Sequence, residues 1–382
     1  MRQTNNEKAF ELAQYAFRFN KDQKTQNRFN FLLDHSKHYA SFDGEILASQ
    51  VLATHLKIQF FQETFDMMGI GFVSSDPSYR GEGRIDQLMR KILQDCRENN
   101  VLFSYLAPFS YPFYRRYGYE LIFERIAYQV PSQEWPDSPK VTGYVRRKPW
   151  TACQSTIKKL YQSSSKNKHG GIQREDWWLE YKYHLPESFD FAIYYNSQDN
   201  AQGYLIYQVK DGIFSCVEWV FLTGEAYKGL NRYIASHKDS TKEIHYEHGY
   251  DKNNHFFLQT KPLSKASIRP EMMARIVDVE AFLEVYPFEN VEKPFAIVIE
   301  EDLYAPWNQG VFEIDQSGIV SKVDTTKLPK LTTDIQRFTQ LFLGYQSIEE
   351  LSFHELIQID KEIGPSIAKI LPTQVPVLED YF

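Results

Sequence analysis

Apolar and polar positions alternate most legibly between residues 69 and 119. Residues 69–74 form an apolar run of strand length, followed by a turn signal at Asp76-Pro77 and by Arg80-Gly81-Glu82-Gly83-Arg84. Ile85, Leu88, Met89, Ile92 and Leu93 then recur at helical spacing, which predicts an amphipathic helix. A second strand is expected over 101–106. An aromatic stretch follows and ends in Tyr114-Arg115-Arg116-Tyr117-Gly118-Tyr119.

The flanking chain is read the same way. Residues 7–19 predict an opening helix with Phe10, Leu12, Ala13, Ala16 and Phe17 on one face, and polar 20–28 reads as a connection between helices. Residues 38–62 predict a β-meander turning at Asp43-Gly44. A strand is expected over 122–130, and the Pro- and Ser-bearing stretch 131–149 reads as a link to a second domain. There Trp177 and Trp178 sit on a predicted helix, one ring inward. Strands at 203–207 and 213–221, a helix over 224–236 capped by Thr223, and a strand at 243–247 repeat the strand-strand-helix-strand order of the first domain. Phe221-Leu222-Thr223-Gly224-Glu225 has no second glycine at the right spacing and no arginine, so this unit reads as one without the glycine-bearing turn. Asp278 starts a helix, and a third, α+β domain follows, with a strand over 294–300 and helices over 335–342 and 348–356. The last dozen residues read as extended, and such a tail frays unless something binds it.

Length, 382 residues, argues for two or three domains. A net charge of −7 and pI near 5.9 weigh against nucleic acid as a partner and favour cationic substrates. The 28 Phe and 25 Tyr can supply apolar cores and an aromatic-walled pocket. Cys96, Cys153 and Cys216 are odd in number and far apart, which predicts reduced thiols in a cytoplasmic protein and no zinc site. The polar start predicts no signal peptide, and no apolar run reaches membrane-spanning length.

A strand, a glycine-bearing turn and a helix make an anion site, because the first N–H groups of a helix lack partners and its dipole is positive there. Gly81 and Gly83 permit close approach and positive φ, and Arg80 and Arg84 add charge, so a pyrophosphate is the expected ligand. The segment is not a P-loop, since no Gly-Lys-Ser/Thr follows, and GxGxxG fails at Asp86. Taken alone, the turn is equally compatible with an ordinary tight turn before a helix.

The wider stretch resembles the acetyl-CoA motif of the GNAT superfamily of N-acetyltransferases, Arg/Gln-x-x-Gly-x-Gly/Ala, here Arg80-Gly81-Glu82-Gly83-Arg84-Ile85. Ile85 departs from the general pattern but is tolerated in the Eis (enhanced intracellular survival) branch. That branch is also matched by FV-x-x-x-P-x-x-R-x-x-G before the helix, by Y-x-R-aromatic-G-Y after the second strand and by the closing Asp380-Tyr381-Phe382. The resemblance covers essentially the whole chain. It implies tandem GNAT-like domains, 1–132 with the acetyl-CoA site and 133–278 without its loop, then a sterol-carrier-protein-like domain over 279–382.

It further implies that acetyl-CoA is held by Val73, Ser74, Ser75, Arg80, Gly81, Glu82, Gly83, Arg84, Ile85, Asp86, Phe109 and Ser110. Tyr114 would be the general acid and the α-carboxylate of Phe382 the base or amine-positioning group. The implied acceptor is a primary amine of an aminoglycoside- or polyamine-like molecule; a protein lysine, or acyl-CoA or lipid binding without catalysis, are the alternatives. A homohexamer would fit the family, while no membrane, nucleic-acid or metal partner is expected. Two departures stand out. Ala107 occupies the place of a histidine in some relatives, and Tyr381 that of an acidic residue contacting cationic substrates, with Glu379 or Asp380 as possible substitutes.

Overall fold

The computed structural model describes residues 2–251 and 265–382. The chain opens with α1 (Arg2–Phe17), α2 (Gln23–Asp34), β1 (Ser36–Asp43), β2 (Ile46–Phe60), β3 (Glu63–Ser75), α3 (Arg84–Glu98), β4 (Phe103–Leu106), α4 (Tyr111–Arg115) and β5 (Glu120–Pro131). It continues through β6 (Tyr144–Lys148), α5 (Trp150–Gln162), α6 (Asp176–Leu179), β7 (Asp190–Tyr195), β8 (Ala201–Lys210), β9 (Ile213–Phe221), α7 (Gly224–Ala235), β10 (Glu243–Gly249) and β11 (Lys265–Ile276). The last part holds α8 (Val279–Val285), β12 (Phe295–Ile299), β13 (Gly310–Ile314), β14 (Val320–Val323), β15 (Lys330–Thr333), α9 (Ile335–Phe342), α10 (Ile348–Phe353), β16 (Gln358–Ile359) and α11 (Gly364–Ile370). Two compact units result. The first gathers the chain to Ile122, Glu271–Pro376 and Tyr381–Phe382; the second holds Phe123–Pro270 and Val377–Asp380.

In the first unit the strands run in the order β1-β2-β3-β4-β11, with β3 and β4 parallel and the other pairs antiparallel. A parallel pair needs a crossover, and α3 supplies it. The helical spacing of its apolar residues is why it packs: Met89, Ile92 and Leu93 are fully buried among Val51, Ala53, Met68 and Ile70. Each such side chain contributes about 1.5–3 kcal/mol relative to exposure. The polar stretch expected to be a connection is largely helical instead. Asp22 caps α2 by accepting from Thr25 N at 2.8 Å, and Phe29, Leu32 and Leu33 give it a buried stripe. A second sheet, β14-β13-β12-β15-β16, lies beside α8 and α9, whose Phe282, Phe338 and Phe342 meet ring to ring.

In the second unit the order is β5-β10-β9-β8-β7-β6, again with one parallel pair, β9 and β10, bridged by α7. Thr223 caps α7 as expected. The stretch read as a link is built into this unit: Trp135 is fully buried and donates to Asn231 Oδ1 at 2.8 Å, and β6 pairs with β7. Trp178 is buried and Trp177 only partly covered.

Candidate functional site

The site begins where β3 leaves β4. Pairing of β3 with β4 ends at Ile70↔Leu106, while pairing with β2 runs on to Ser49↔Ser75. The β2–β3 register shifts between Gln50 and Leu52, and Phe72 takes a left-handed φ of 49°. Such a bulge re-aims the strand. The strained residue is held by its ring, which meets Phe17, Phe19 and Phe29 at centroid distances of 5.3, 6.3 and 5.1 Å. No strand among the described residues pairs with 71–75 on the β4 side.

A cleft of about 750 Å³ opens there. Val73, Ser74, Ser75, Arg80, Gly81, Gly83, Arg84, Ile85, Asp86 and Phe109 line it, so ten expected cofactor residues converge. Ala16, Phe17, Ser49, Tyr79, Phe113 and Arg116 complete the wall. Glu82 and Ser110 are not among the lining residues. Glu82 turns to Arg84, accepting from its Nε at 2.8 Å, and Ser110 is the N-cap of α4.

The glycine turn is shaped as the anion reading requires. Gly81 and Gly83 have φ of 87° and 73°, where a side chain would strain the backbone. The first intrahelical bond of α3 runs from Gln87 N to Gly83 O, so the N–H groups of Arg84, Ile85 and Asp86 precede it. The two arginines differ. Arg84 is engaged by Glu82, by Ser41 Oγ at 3.0 Å and by Phe42 O at 3.3 Å, so it braces the loop rather than offering free charge. Arg80 is exposed and makes no ion pair among the described residues.

Tyr114 does not line the cleft. It is buried on α4 and meets Phe109 and Phe113, which do, at 5.4 and 5.0 Å between centroids. Burial pushes its hydroxyl well above the usual phenol range, and nearby Tyr119 and Tyr381 push it further. The aromatic segment is fixed from behind. Arg275, fully buried, donates to Tyr117 O and to Asp302 Oδ2, and a Cβ on Gly118 would fall 2.6 Å from its Nη1. Gly118 itself has φ of 82°.

The chain terminus arrives on β3. A Cβ on Gly69 would lie 2.7 Å from Cε2 of the Phe382 ring, and one on Gly71 would lie 4.0 Å from the terminal carboxyl carbon. Gly69 and Gly71, two residues apart on one face, are therefore the seat of Phe382. Sequence reasoning missed them, although glycines inside a strand signal close approach. The expectation that Glu379 or Asp380 substitutes as a contact for cationic substrates is overturned. Both are buried and engaged by the protein's own cations, Glu379 by Lys166 at 2.7 Å and Asp380 by Arg174 at 3.1 Å and Lys182 at 2.8 Å. Their desolvated carboxylates are already neutralised.

In the second unit only residues 222–223 separate β9 from α7, whereas residues 76–83 separate β3 from α3. There is no room for a phosphate turn. His55, which matched no motif, sits half-exposed beside Asp66 at 3.2 Å.

Comparisons with known proteins agree with this geometry. Residues 1–122 match an acetyltransferase (GNAT) domain family, 170–276 a second acetyltransferase (GNAT) domain family, and 279–379 a sterol carrier protein domain family. No curated protein matches the sequence. A solved protein from Enterococcus faecalis V583, described as a conserved protein of unknown function and probable N-acyltransferase, is 40% identical, with 99% of this chain and 97% of that one covered and a TM-score of 0.94. A GCN5-related N-acetyltransferase from Anabaena variabilis ATCC 29413 (21% identical, 100% and 98% covered, TM-score 0.86) shares the fold. So does Eis1 from Mycobacterium abscessus (17% identical, 99% and 98% covered, TM-score 0.78). With two GNAT domains, a sterol-carrier-type third domain and a 40% identical probable N-acyltransferase matched over nearly its whole length, the chain belongs to the GNAT acetyltransferases and is an acyl-CoA-dependent N-acetyltransferase.

Proposed function

We propose that the protein moves an acetyl group from acetyl-CoA to a primary amine of a small polycationic molecule of the aminoglycoside or polyamine kind. The observation that carries this reading is the seat of Phe382: its carboxyl carbon lies over Gly71, where β3 parts from β4. The residues present suit the co-substrate. Two left-handed glycines, the leading N–H groups of α3 and exposed Arg80 would hold a pyrophosphate, and the strand edge at Val73, Ser74 and Ser75 would pair with an amide-bearing chain as an added strand does. Phe109 and Ser110 would flank it. Acetyl-CoA supplies the thioester from which the acyl group is taken and a thiol as leaving group.

The protein's own groups then have distinct duties. Val73 lines the cleft, and in this scheme its N–H polarises the thioester carbonyl. Tyr114 keeps its proton throughout the working pH range, because burial disfavours the phenolate, and is the acid that protonates the departing sulfur. The Phe382 carboxylate is a weak base, with an ordinary pKa near ~3.5, so it orients a cationic amine and takes its proton by way of water. In this reading the domains part after residues 132 and 278, the enzyme is cytoplasmic, as three buried free cysteines favour, and it assembles as a hexamer, as the family resemblance implies.

Thiol release from acetyl-CoA, measured against polyamines, aminoglycosides and lysine peptides, tests the reading. Deleting Phe382, or adding one glycine after it, moves the carboxylate by up to ~3.5 Å. Turnover of a small amine that collapses in both variants, with acetyl-CoA binding intact, is the expected result. Unchanged turnover in both refutes the role of Phe382, and activity confined to lysine peptides refutes the substrate class.

A further inference from the structure

A buried charge cluster lies in the second unit, which has no phosphate turn. Arg174 is fully buried and grips Glu218 through two bonds of 2.8 and 2.7 Å. The same guanidinium donates Nε to both oxygens of Asp380 at 3.1 Å. Asp380 also accepts from Trp178 Nε1 at 2.8 Å and Lys182 Nζ at 2.8 Å, and Lys182 reaches Glu379 O at 2.7 Å. Glu379 pairs with Lys166 at 2.7 Å and accepts from Gly249 N at 3.3 Å. Three cations, Lys166, Arg174 and Lys182, thus face three anions, Glu218, Glu379 and Asp380, and two of those anions belong to the C-terminal tail.

The backbone is gripped as well. Val377 N donates to His169 O at 2.8 Å, and Leu378 is buried. A Cβ on Gly249 would fall 2.5 Å from Val377 Cγ1 and 2.9 Å from Leu378 O, so only glycine lets the tail lie this close to β10. Stability alone does not call for such a cluster, since buried ion pairs are often no better than apolar packing of the same volume. What two adjacent acids with separate cations do achieve is register. A slip of one residue would leave Arg174 and Lys182 facing Glu379 or Tyr381, and would carry the terminus away by ~3.5 Å.

We propose that Glu379 and Asp380 form a clasp that fixes the register of the C-terminal tail, and with it where the Phe382 carboxylate sits two residues on. Asp380, Glu379, Arg174, Lys182 and Lys166 are positioning residues in this scheme. The inference rests on the reading of Phe382 given above, and the test keeps the two apart.

The first arm needs no substrate. Full-length protein is treated with carboxypeptidase A, and release of Phe382 is followed by mass spectrometry beside a thermal melt. Wild type resists, and Asp380→Asn releases Phe382 at least ~10-fold faster at a temperature where the rest stays folded. Should Asp380→Asn not fold, Lys182→Met, at the edge of the cluster, is read in the same way. Equal release rates in wild type and the folded variant overturn the clasp.

The second arm uses acetyl-CoA and spermine as acceptor. Asp380→Asn lowers kcat at least ~10-fold with the KM for acetyl-CoA unchanged. The same substitution adds no further loss in a chain already lacking Phe382, because coupled positions are not additive. An equal loss in both backgrounds means that the cluster is structural only, which also overturns the proposal. If deletion of Phe382 leaves kcat intact, the carboxylate reading fails, and the protease arm still decides whether the tail is clasped.

Discussion

Gly69→Ala isolates the seat of Phe382 from the stability of the sheet. The new methyl carbon would fall 2.7 Å from Cε2, 3.0 Å from Cδ2 and 3.3 Å from Cζ of the Phe382 ring. Carbon atoms rest at about 3.5–4.0 Å, so the ring must retreat by about 1 Å. The ring ends a terminal side chain while Gly69 is pinned between Thr54 and Tyr105 in the sheet, so the tail gives way and the strand does not. Gly69 does not have a left-handed φ, and replacing such a glycine by alanine typically stabilises by about 0.4–1 kcal/mol through the unfolded chain. A displacement of about 1 Å in a reacting group costs on the order of 100-fold in rate, equivalent to about 2.7 kcal/mol of barrier. The expected variant therefore melts at or above the wild-type temperature yet has a kcat lower by about 100-fold, with acetyl-CoA affinity preserved. Gly71→Ala is the internal control: its nearest contact, 4.0 Å to the carboxyl carbon, is ordinary packing, and its kcat should change far less. Thiol-release kinetics and thermal melts on the two variants suffice. A Gly69→Ala enzyme with wild-type kcat would refute the reasoning, as would a Gly71→Ala enzyme that is just as impaired.

Three further outcomes are expected. Tyr114→Phe should lower kcat by about 100-fold or more without moving the KM for acetyl-CoA, and in wild type no alkaline loss of activity assignable to Tyr114 should occur below pH ~10, since burial raises its hydroxyl; steady-state pH–rate profiles check both. Arg80→Ala should raise the KM for acetyl-CoA by about tenfold, roughly 1.4 kcal/mol, with the effect fading as salt rises, whereas Arg84→Ala should act mainly by loosening the turn it braces; initial rates at two ionic strengths distinguish them. Burial, with the Lys166 ammonium beside it, depresses His248 from 6.5 to about 4, so the unfolded chain binds its proton first and stability is lost as pH falls from 6.5 to about 4. Burial raises Glu379, but Lys166, Arg125 and His248 outweigh it and hold the carboxyl at about 2 against an ordinary 4.5, so its contribution is lost between pH 4.5 and 2. Urea denaturation from pH 7 to 3 should show both losses in wild type, and the lower one should shrink in Glu379→Gln.

What the sequence determined by itself was local. Helical spacing from Ile85 to Leu93 marked α3, Thr223 and Asp278 marked helix starts, and two glycines around Glu82 marked a turn for an anion, because caps, periodicity and φ preferences act over a few residues. The missing phosphate turn of the second unit was legible for the same reason. Local signals failed where long-range packing decides. Polar residues at the start of α2 hid a helix whose stripe is buried by its neighbours, and the apolar run of β7 carried no alternation because both its faces are covered. Nothing near Phe72 announces a bulge, since its left-handed φ is held by three rings from α1, α2 and the turn between them. The tail is the sharpest case. Asp380 meets Arg174 across 206 positions of sequence, and Phe382 rests on Gly69 at the far end of the chain. Whether an acidic pair contacts substrate or a buried arginine depends on which cations the fold brings to it, and only the tertiary structure sets that partner, because desolvation and Coulomb attraction act through space and not along the chain.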